Sequence, residues 1–121
     1  MSTQTITLSM SNGELWLTEG NYSAPFFEFE NSAKPLDVIQ WIAGKEIFSF
    51  ENVFTRDHGL FRERPVHIPG GFEVQIGRPF VDPGSYSIVT NGRIWDPKIR
   101  VISEDCKTNT PENTSSALAN N

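Results

Sequence analysis

The stretch that decides the fold is residues 82–103, which read DPGSYSIVTNGRIWDPKIRVIS. At its centre is Asn91-Gly92, between two runs that are rich in β-branched and aromatic residues. Both residues tolerate the positive φ that each central position of a type I′ turn requires. The sequence therefore predicts a β-hairpin with a two-residue loop. The facing pairs of that hairpin are Thr90 and Arg93, Ile88 and Trp95, and Tyr86 and Pro97.

This register gives the hairpin one apolar and one polar face, because successive side chains of a strand point to opposite sides. The apolar face is made of Tyr86, Ile88, Trp95, Ile99 and Val101. The polar face is made of Ser87, Asp96, Lys98 and Arg100. We expect the first face to lie in the core and the second to face water. Neither face carries a catalytic motif, so the hairpin predicts a scaffold rather than a chemistry.

A second hairpin is predicted at the N-terminus. The segment Thr3 to Met10 alternates between apolar and polar residues, which is typical of a half-buried strand, and a second turn signal, Asn12-Gly13, follows it. The facing pairs of this hairpin are Met10 and Leu15, Ser9 and Trp16, and Leu8 and Leu17. Trp16 therefore falls on the polar face, where burial in the core does not explain it.

Further strands are predicted from alternation at Ala24 to Glu30, Asn52 to Asp57, Leu60 to His67 and Phe72 to Ile76. The segment from Leu36 to Phe50 is ambiguous. We favour a hairpin that turns at Gly44-Lys45, with Trp41 facing Phe48, over a short helix, because the segment is rich in β-branched and aromatic residues. Pro65 predicts an edge strand, because proline cannot donate to a strand ladder.

The pattern as a whole predicts an all-β protein of about eight or nine short strands separated by turns. Such a pattern is typical of an antiparallel β-sandwich or jelly roll. We expect residues 1–103 to form one sandwich domain. Residues 104–121 are rich in Thr, Asn and Ser and should form a polar C-terminal tail, because that composition cannot bury a core.

Two motifs resemble the outline of cupredoxin-like sandwiches, which is close to an Ig-like outline. They are Asp37-Val38-Ile39-Gln40-Trp41 and Pro83-Gly84-Ser85-Tyr86, and the resemblance covers about a third of the chain. In that family a Cys near the end of such a strand and a following His and Met hold copper. Here Thr90-Asn91-Gly92 occupy that region and no His follows His67. The resemblance thus implies a sandwich without a blue-copper site.

Composition bounds the function further. The 121 residues carry a net charge of −5, which argues against a nucleic-acid partner and against binding to an anionic membrane. There is one cysteine, Cys106, so no intramolecular disulfide is expected. The sequence shows neither a signal-peptide pattern nor a long apolar span. We therefore expect a soluble protein, cytoplasmic or released without a signal peptide.

Charge is distributed unevenly along the chain. Residues 1–51 carry two lysines against seven acidic residues, a net charge of −5. Residues 52–102 carry seven basic residues against five acidic ones, a net charge of +2. A bipolar surface of this kind can orient copies of one protein toward each other. Interleaving of the strands would instead mix these charges in space.

Candidate ligand-binding residues are few. The two histidines do not have the spacing of a metal site, and neither has an obvious orienting carboxylate beyond Asp57, which precedes the first of them. We therefore expect no metal and no cofactor. A ligand site of low specificity could be built from Trp16, Asp57, His58, Arg62, Arg64 and His67.

The function that requires the fewest missing residues is a non-catalytic interaction or assembly module, which acts through protein–protein contacts with copies of itself or with another protein partner. The expected interface residues are Phe26, Arg93, Lys98 and Arg100. The alternative is a ligand-binding sandwich, lectin-like with a sugar stacked on a tryptophan such as Trp16, or a small enzyme around His58. The sequence leans against an enzyme, because two histidines and scattered carboxylates do not form a known catalytic pattern.

Overall fold

The computed structural model describes residues 2–78 and 83–102, and these residues form twelve β-strands and no helix. The predicted all-β sandwich class is confirmed, with twelve strands in place of eight or nine. The strands are β1 (Thr3–Ser11), β2 (Glu14–Glu19), β3 (Tyr22–Pro25), β4 (Glu30–Ala33), β5 (Val38–Ala43), β6 (Phe50–Phe54), β7 (Val66–Ile68), β8 (Gly71–Gln75), β9 (Gly84–Ser85), β10 (Ser87–Thr90), β11 (Arg93–Trp95) and β12 (Lys98–Val101).

The strands form three sheets. A six-stranded sheet has the order β3-β2-β1-β5-β8-β7, and two three-stranded sheets have the orders β11-β10-β6 and β4-β12-β9. Most of the described strand pairs are antiparallel, but β1 pairs with β5, and β12 with β4, in parallel. Two of the three described sheets are therefore mixed, and only the sheet β11-β10-β6 is entirely antiparallel. The two hairpin signals could not reveal this, because a parallel pair is never joined by a tight turn.

Both predicted Asn-Gly hairpins are confirmed in register. In the N-terminal hairpin, β1 and β2, Leu8 pairs with Leu17 and Ser9 with Trp16. In the C-terminal hairpin, Ile88 pairs with Trp95. The central residues of both turns have positive φ, as a type I′ turn requires. The values are 52° for Asn12, 79° for Gly13, 50° for Asn91 and 75° for Gly92.

The C-terminal hairpin contributes to two sheets. The register of β10 and β11 continues beyond Pro97, since Lys98 of β12 pairs with Ser85 of β9. The Tyr86 N–H still donates to the Pro97 carbonyl at 3.2 Å, but Pro97 has no N–H to return a bond. The ladder is interrupted at Pro97. On the turn side of the interruption β10 and β11 form a sheet with β6, and on the other side β9 and β12 form a sheet with β4.

The segment from Leu36 to Phe50 forms neither the predicted hairpin nor the helix considered beside it. β5 ends at Ala43, residues 44–49 form a loop, and β6 begins at Phe50. β5 lies between β1 and β8 in the six-stranded sheet, and Trp41 and Ile39 are fully buried. A central strand has both edges occupied by other strands, so the turn signal at Gly44-Lys45 did not decide its pairing. Trp41 faces Phe72 of β8 rather than Phe48.

The predicted strand from Ala24 to Glu30 is also wrong. The chain turns at Pro25, whose carbonyl accepts hydrogen bonds from the N–H groups of Glu28 and Phe29 at 2.9 Å. β3 ends before this turn and β4 begins after it. A second correction concerns Ser87, which was expected on a wet face but is buried and donates its hydroxyl to Asp96 Oδ1 at 2.6 Å.

Three further predictions concern β7, β8 and the C-terminal tail. β7 follows Pro65 and lies at an edge of the six-stranded sheet, as predicted. The rest of the predicted strand from Leu60 to His67 is wrong, because residues 60–65 form only one isolated bridge, between Phe61 and Ile76. β8 confirms the alternation of Phe72 and Val74, both of which are buried. The predicted tail of residues 104–121, with Cys106, falls outside the described residues.

The core lies between the sheets and is rich in aromatic side chains. The apolar face of the C-terminal hairpin is buried as predicted, with Tyr86, Ile88, Trp95, Ile99 and Val101 at most 3% exposed. At its centre the Trp41 indole N–H donates to the Tyr86 hydroxyl at 3.2 Å, and their ring centroids are 5.2 Å apart. Burial raises the pKa of Tyr86 above its ordinary value, because an ionised phenol would lose its hydration.

Candidate interaction surface and cleft

A cleft of about 500 Å³ opens beside the loop that follows β6. Its apolar lining includes Val53, Phe54, Phe61 and Pro65. Its polar lining includes Asn52, Thr55, Arg56, Asp57, His58, Glu63 and Arg64. A concave site with an apolar surface and a few polar groups is the usual form of a binding site.

The loop that forms the cleft is fixed to the sandwich by Asp57 and Thr55. The Asp57 Oδ2 atom accepts a hydrogen bond from the Ser85 backbone N–H at 2.6 Å, and the Thr55 hydroxyl donates to the Ser85 carbonyl at 2.7 Å. Asp57 thus holds the start of the C-terminal hairpin rather than the neighbouring His58. This use of the carboxylate leaves His58 without the orienting acid that a catalytic histidine needs.

Arginines dominate the charges around the cleft. Arg56 and Arg64 line it, Arg62 lies beside it in the chain, and the Arg78 side chain lies against Gly59, which also lines it. In the part of the chain that the structure describes, the ion pair within 4 Å is Arg100 with Glu30, so none of these four arginines is paired there. Asp57 and Glu63 are the acidic residues of the same loop, so this end of the molecule has a net charge of +2.

The structure brings together half of the predicted ligand-binding residues. Asp57, His58 and Arg64 line the cleft, whereas Arg62, Trp16 and His67 do not. Trp16 is half-buried in β2, and His67 lies in β7 with its ring 4.7 Å from that of Phe72. Since β1, β5 and β8 separate these two strands, Trp16 and His67 are about 19 Å apart across the sheet. They cannot share one site with His58.

The predicted interface residues mostly have partners within the chain. The Arg93 guanidinium lies 4.4 Å from the centroid of the Trp95 ring, and Phe26 packs edge-on against the same ring at 5.1 Å. Arg100 Nε is 3.1 Å from Glu30 Oε2. Lys98 is exposed. Three of the four side chains therefore have contacts within the chain.

A different residue, Phe48, is the most exposed large hydrophobic side chain of the described residues, at 86%. It belongs to the knob, the name used here for residues 46–49. The knob lies against the Asn91 turn at the end of the C-terminal hairpin. Asn91 Oδ1 accepts hydrogen bonds from the N–H groups of Phe48 and Ser49 at 2.8 and 3.0 Å. A large apolar side chain is thus held in water by an ordered backbone.

Two more hydrogen bonds complete this arrangement. The Asn91 side-chain amide donates to the Glu46 carbonyl, and the Asn91 backbone N–H donates to the Ser49 carbonyl, both at 3.0 Å. Glu46 has a φ of 62°, an unfavourable conformation for a residue other than glycine. Such a conformation persists only where the surrounding structure imposes it, and it is common at functional sites.

Near the knob, β11 forms an open edge of its sheet. In a hairpin with a two-residue loop, the pairs Thr90–Arg93 and Ile88–Trp95 exchange backbone hydrogen bonds, so the backbone groups of Ile94 point to the outer edge. Within residues 2–78 and 83–102 those groups have no hydrogen-bond partner. The Ile94 side chain is 61% exposed. An exposed edge with an apolar side chain can pair with another chain.

Sequence reasoning missed both Phe48 and Asn91. The expected hairpin at Gly44-Lys45 put Phe48 in the core opposite Trp41, and the Asn91-Gly92 signal predicts the turn but not the use of the Asn91 side chain. The available signal was the pair of glutamates that flank the apolar run, Glu46 and Glu51. Such flanking charges are typical of an apolar segment exposed to water.

Comparison with known proteins gives no family: no family model matches the chain, and no curated protein is significantly similar to it. Among residues 2–78 and 83–102, no group of three or more His, Cys, Asp or Glu side chains is placed to hold a metal ion. The same residues contain no helix of the length and apolar character needed to cross a bilayer.

Proposed function

We propose that the protein is a non-catalytic interaction module that associates with itself through protein–protein contacts. The observation that carries this proposal is Phe48, an aromatic side chain that is 86% exposed on a hydrogen-bonded loop. Buried aromatic anchors supply much of the binding energy of protein interfaces. The exposed Phe48 side chain of the knob is therefore suited to act as the aromatic anchor of an interface.

The hydrogen bonds to Asn91 explain why the knob is suited to binding. A flexible loop loses conformational entropy when it is immobilised in an interface, and this loss opposes association. The backbone of Phe48 and Ser49 is already fixed by Asn91, so most of that loss has occurred on folding. Burial of the Phe48 ring can then contribute about 2 kcal/mol to association.

The open edge of β11 adds a second element to the same region. Ile94 presents an exposed side chain and unpaired backbone groups close to the Asn91 turn. Strand edges of this kind bind extended segments by backbone hydrogen bonds. β11 lies at the edge of its sheet opposite to β6, which follows the knob, so this edge and the knob are two separate elements near the turn of the C-terminal hairpin.

The test is sedimentation velocity over a wide range of protein concentration. We expect the wild-type protein to associate, and Phe48→Asp to weaken association about thirty-fold or more, as loss of an interface anchor does. Phe27→Asp is the matched control, because Phe27 is also an exposed Phe, at 58%, on a different turn. A wild-type protein that stays monomeric at every concentration would contradict the proposal.

A second candidate function, a ligand-binding sandwich, is favoured by the cleft, because Asp57, His58 and Arg64 converge there. A sugar or another small ligand in this site would raise the melting temperature of the protein. His58→Ala should remove that increase, whereas Trp16→Ala should not, since Trp16 does not line the cleft. A glycan array with the wild-type protein is the direct measurement.

A further inference from the structure

We infer that the occupant of the cleft is the knob of a second copy of this chain, with Phe48 of one copy inserted between Phe54 and Phe61 of the next. This inference rests on the proposed self-association and names the two surfaces that make the contact. In this contact the exposed Phe48 ring of one copy is the bound group, and the cleft of the next copy is its binding site.

The shape of the cleft suits an aromatic side chain. At about 500 Å³ it falls within the range of clefts that enclose small organic ligands, so one Phe ring and part of its loop can enter it. Phe54 and Phe61 are both half-buried, so each ring is in part available to the cleft. Aromatic pairs in edge-to-face or offset geometry add about 0.5–1.5 kcal/mol beyond the area that they bury.

The charges of the two surfaces are opposite. Glu46 begins the knob and Glu51 follows it closely, and with Lys45 the segment 45–51 has a net charge of −1. The charged residues that line the cleft, Arg56, Asp57, Glu63 and Arg64, sum to zero, and the nearby Arg62 and Arg78 bring this end of the molecule to +2. None of these arginines has an ion-pair partner among the described residues. Complementary charges of this kind orient two proteins and speed their encounter. The strands of the two halves of the chain interleave, and Glu30 pairs with Arg100, so the charge contrast belongs to the knob and the cleft and not to the two halves as wholes.

The positions of knob and cleft determine the kind of assembly. β6 runs from the knob to the cleft: Phe50 pairs with Thr90 beside the Asn91 turn, and Phe54 pairs with Ser87 at the other end. The two ends of β6 are about 13 Å apart at the rise of a strand. The knob therefore cannot fill the cleft of its own chain. Two copies that do not fill each other's clefts reciprocally make a heterologous contact, which extends from copy to copy.

The experiment uses one variant for each surface of the full chain. Phe48→Asp removes the knob and keeps the cleft, whereas Arg56→Glu with Arg64→Glu reverses the cleft charges and keeps the knob. We expect the wild-type protein to form a concentration-dependent series of oligomers, and each variant alone to be monomeric. An equimolar mixture of the two variants should form a 1:1 dimer and nothing larger, because only one productive knob–cleft pair remains.

Two controls exclude trivial causes. Arg62→Glu makes the same charge change on a residue that does not line the cleft, and it should weaken association less than about five-fold. At a protein concentration low enough for the wild-type protein to be monomeric, the urea midpoint of every variant should match that of the wild-type protein, because Phe48, Arg56, Arg62 and Arg64 are exposed. Association should also weaken as salt rises from 0.05 to about 0.5 M, since exposed charges are screened.

The outcomes separate this inference from the proposed function. Self-association that survives the cleft variant, or a mixture that stays monomeric, would overturn the knob–cleft contact and leave self-association intact. A wild-type protein that is monomeric throughout would overturn both. A mixture that forms the 1:1 dimer supports both.

Discussion

The two Asn-Gly hairpins have the same turn and different tertiary roles. Asn12 and Asn91 have nearly the same φ, 52° and 50°, and each is followed by a glycine of positive φ. The Asn91 side chain makes three hydrogen bonds to residues 46–49. Within the described residues the Asn12 side chain makes none. The Asn-Gly sequence determines the conformation of the turn. The hydrogen bonds of the Asn side chain depend on the loop that lies beside the turn, which is residues 46–49 for Asn91.

The strands of the two hairpins differ in the same way. The N-terminal hairpin lies within one sheet, whereas the C-terminal hairpin passes from one sheet to another at Pro97. Each hairpin also contains one tryptophan, half-buried Trp16 in β2 and buried Trp95 in β11. The C-terminal hairpin should therefore contribute more to stability. Five predictions test that difference, in order of decreasing effect.

The largest difference is expected between the tryptophans. Trp95 is 3% exposed, and its indole N–H donates to the Thr90 hydroxyl at 3.1 Å. Trp95→Ala should lower the free energy of unfolding by about 3–5 kcal/mol, the usual loss for a buried aromatic residue. Trp16→Ala should lower it by about 1–2 kcal/mol, because Trp16 is only half-buried. Urea unfolding measures both, and equal losses would contradict the comparison.

The turn asparagines should differ next. Glycine tolerates the same φ, so Asn91→Gly keeps the turn and removes three hydrogen bonds. We expect a loss of about 2–3 kcal/mol, and faster hydrogen exchange at the N–H groups of Phe48 and Ser49. Asn12→Gly should change stability by less than about 0.5 kcal/mol. Unchanged exchange in Asn91→Gly would show that the knob is ordered by something else.

A smaller effect concerns pH. Tyr86→Phe leaves the buried Trp41 N–H without its acceptor and should lower the free energy of unfolding by about 1–2 kcal/mol at neutral pH. The folded protein raises the pKa of Tyr86 above 10.0, so wild-type stability is complete below pH 10 and falls as pH rises further. The gap between the two proteins should therefore narrow above pH 10. Urea unfolding at several pH values measures the gap, and a gap that is constant there would contradict the argument.

Asp37 provides the acidic counterpart, beside the N-terminal hairpin. Burial raises its pKa, but hydrogen bonds from the backbone N–H groups of Lys34 and Ser2 outweigh burial and bring the pKa below 3.8. Its contribution to stability is thus present above pH 4 and is lost as pH falls through the lowered value. The same urea series should show the gap between wild type and Asp37→Asn closing only in acid.

The smallest difference is expected at the turn glycines. Gly13 and Gly92 have φ values of 79° and 75°, and nothing lies within 4 Å of the position that a Cβ would take at either one. Gly13→Ala and Gly92→Ala should each lower the free energy of unfolding by about 1 kcal/mol, because both force an L residue into the left-handed region. Unequal losses would show that the backbones of the two turns differ after all.

The sequence predicted the class and the two hairpins, because turn signals and alternation act between neighbours in the chain. The same rules failed at residues 36–50 and 24–30. Trp41 lies in a strand whose partners are β1 and β8, so its pairing depends on segments far away in sequence. The turn at Pro25 interrupts an alternating pattern that continues through it.

The candidate site was predicted only in part, for a related reason. Asp57, His58 and Arg64 are close in sequence, and they share the cleft. Whether Trp16 and His67 lie near His58 depends on strand order, which alternation does not encode, and the structure puts Trp16 and His67 on separate strands outside the cleft. Phe48 was missed because its exposure depends on Asn91, a residue 43 positions away.

The parallel pair of β4 and β12 has a consequence for synthesis of the protein. Glu30 and Arg100 of this pair are 70 residues apart, so their sheet cannot close until nearly all of the described chain has been made. Contacts between such distant segments form slowly, because a long loop must be ordered first. The emerging chain must therefore leave core residues such as Phe29 and Ala33 uncovered on the ribosome, where chaperones can bind them.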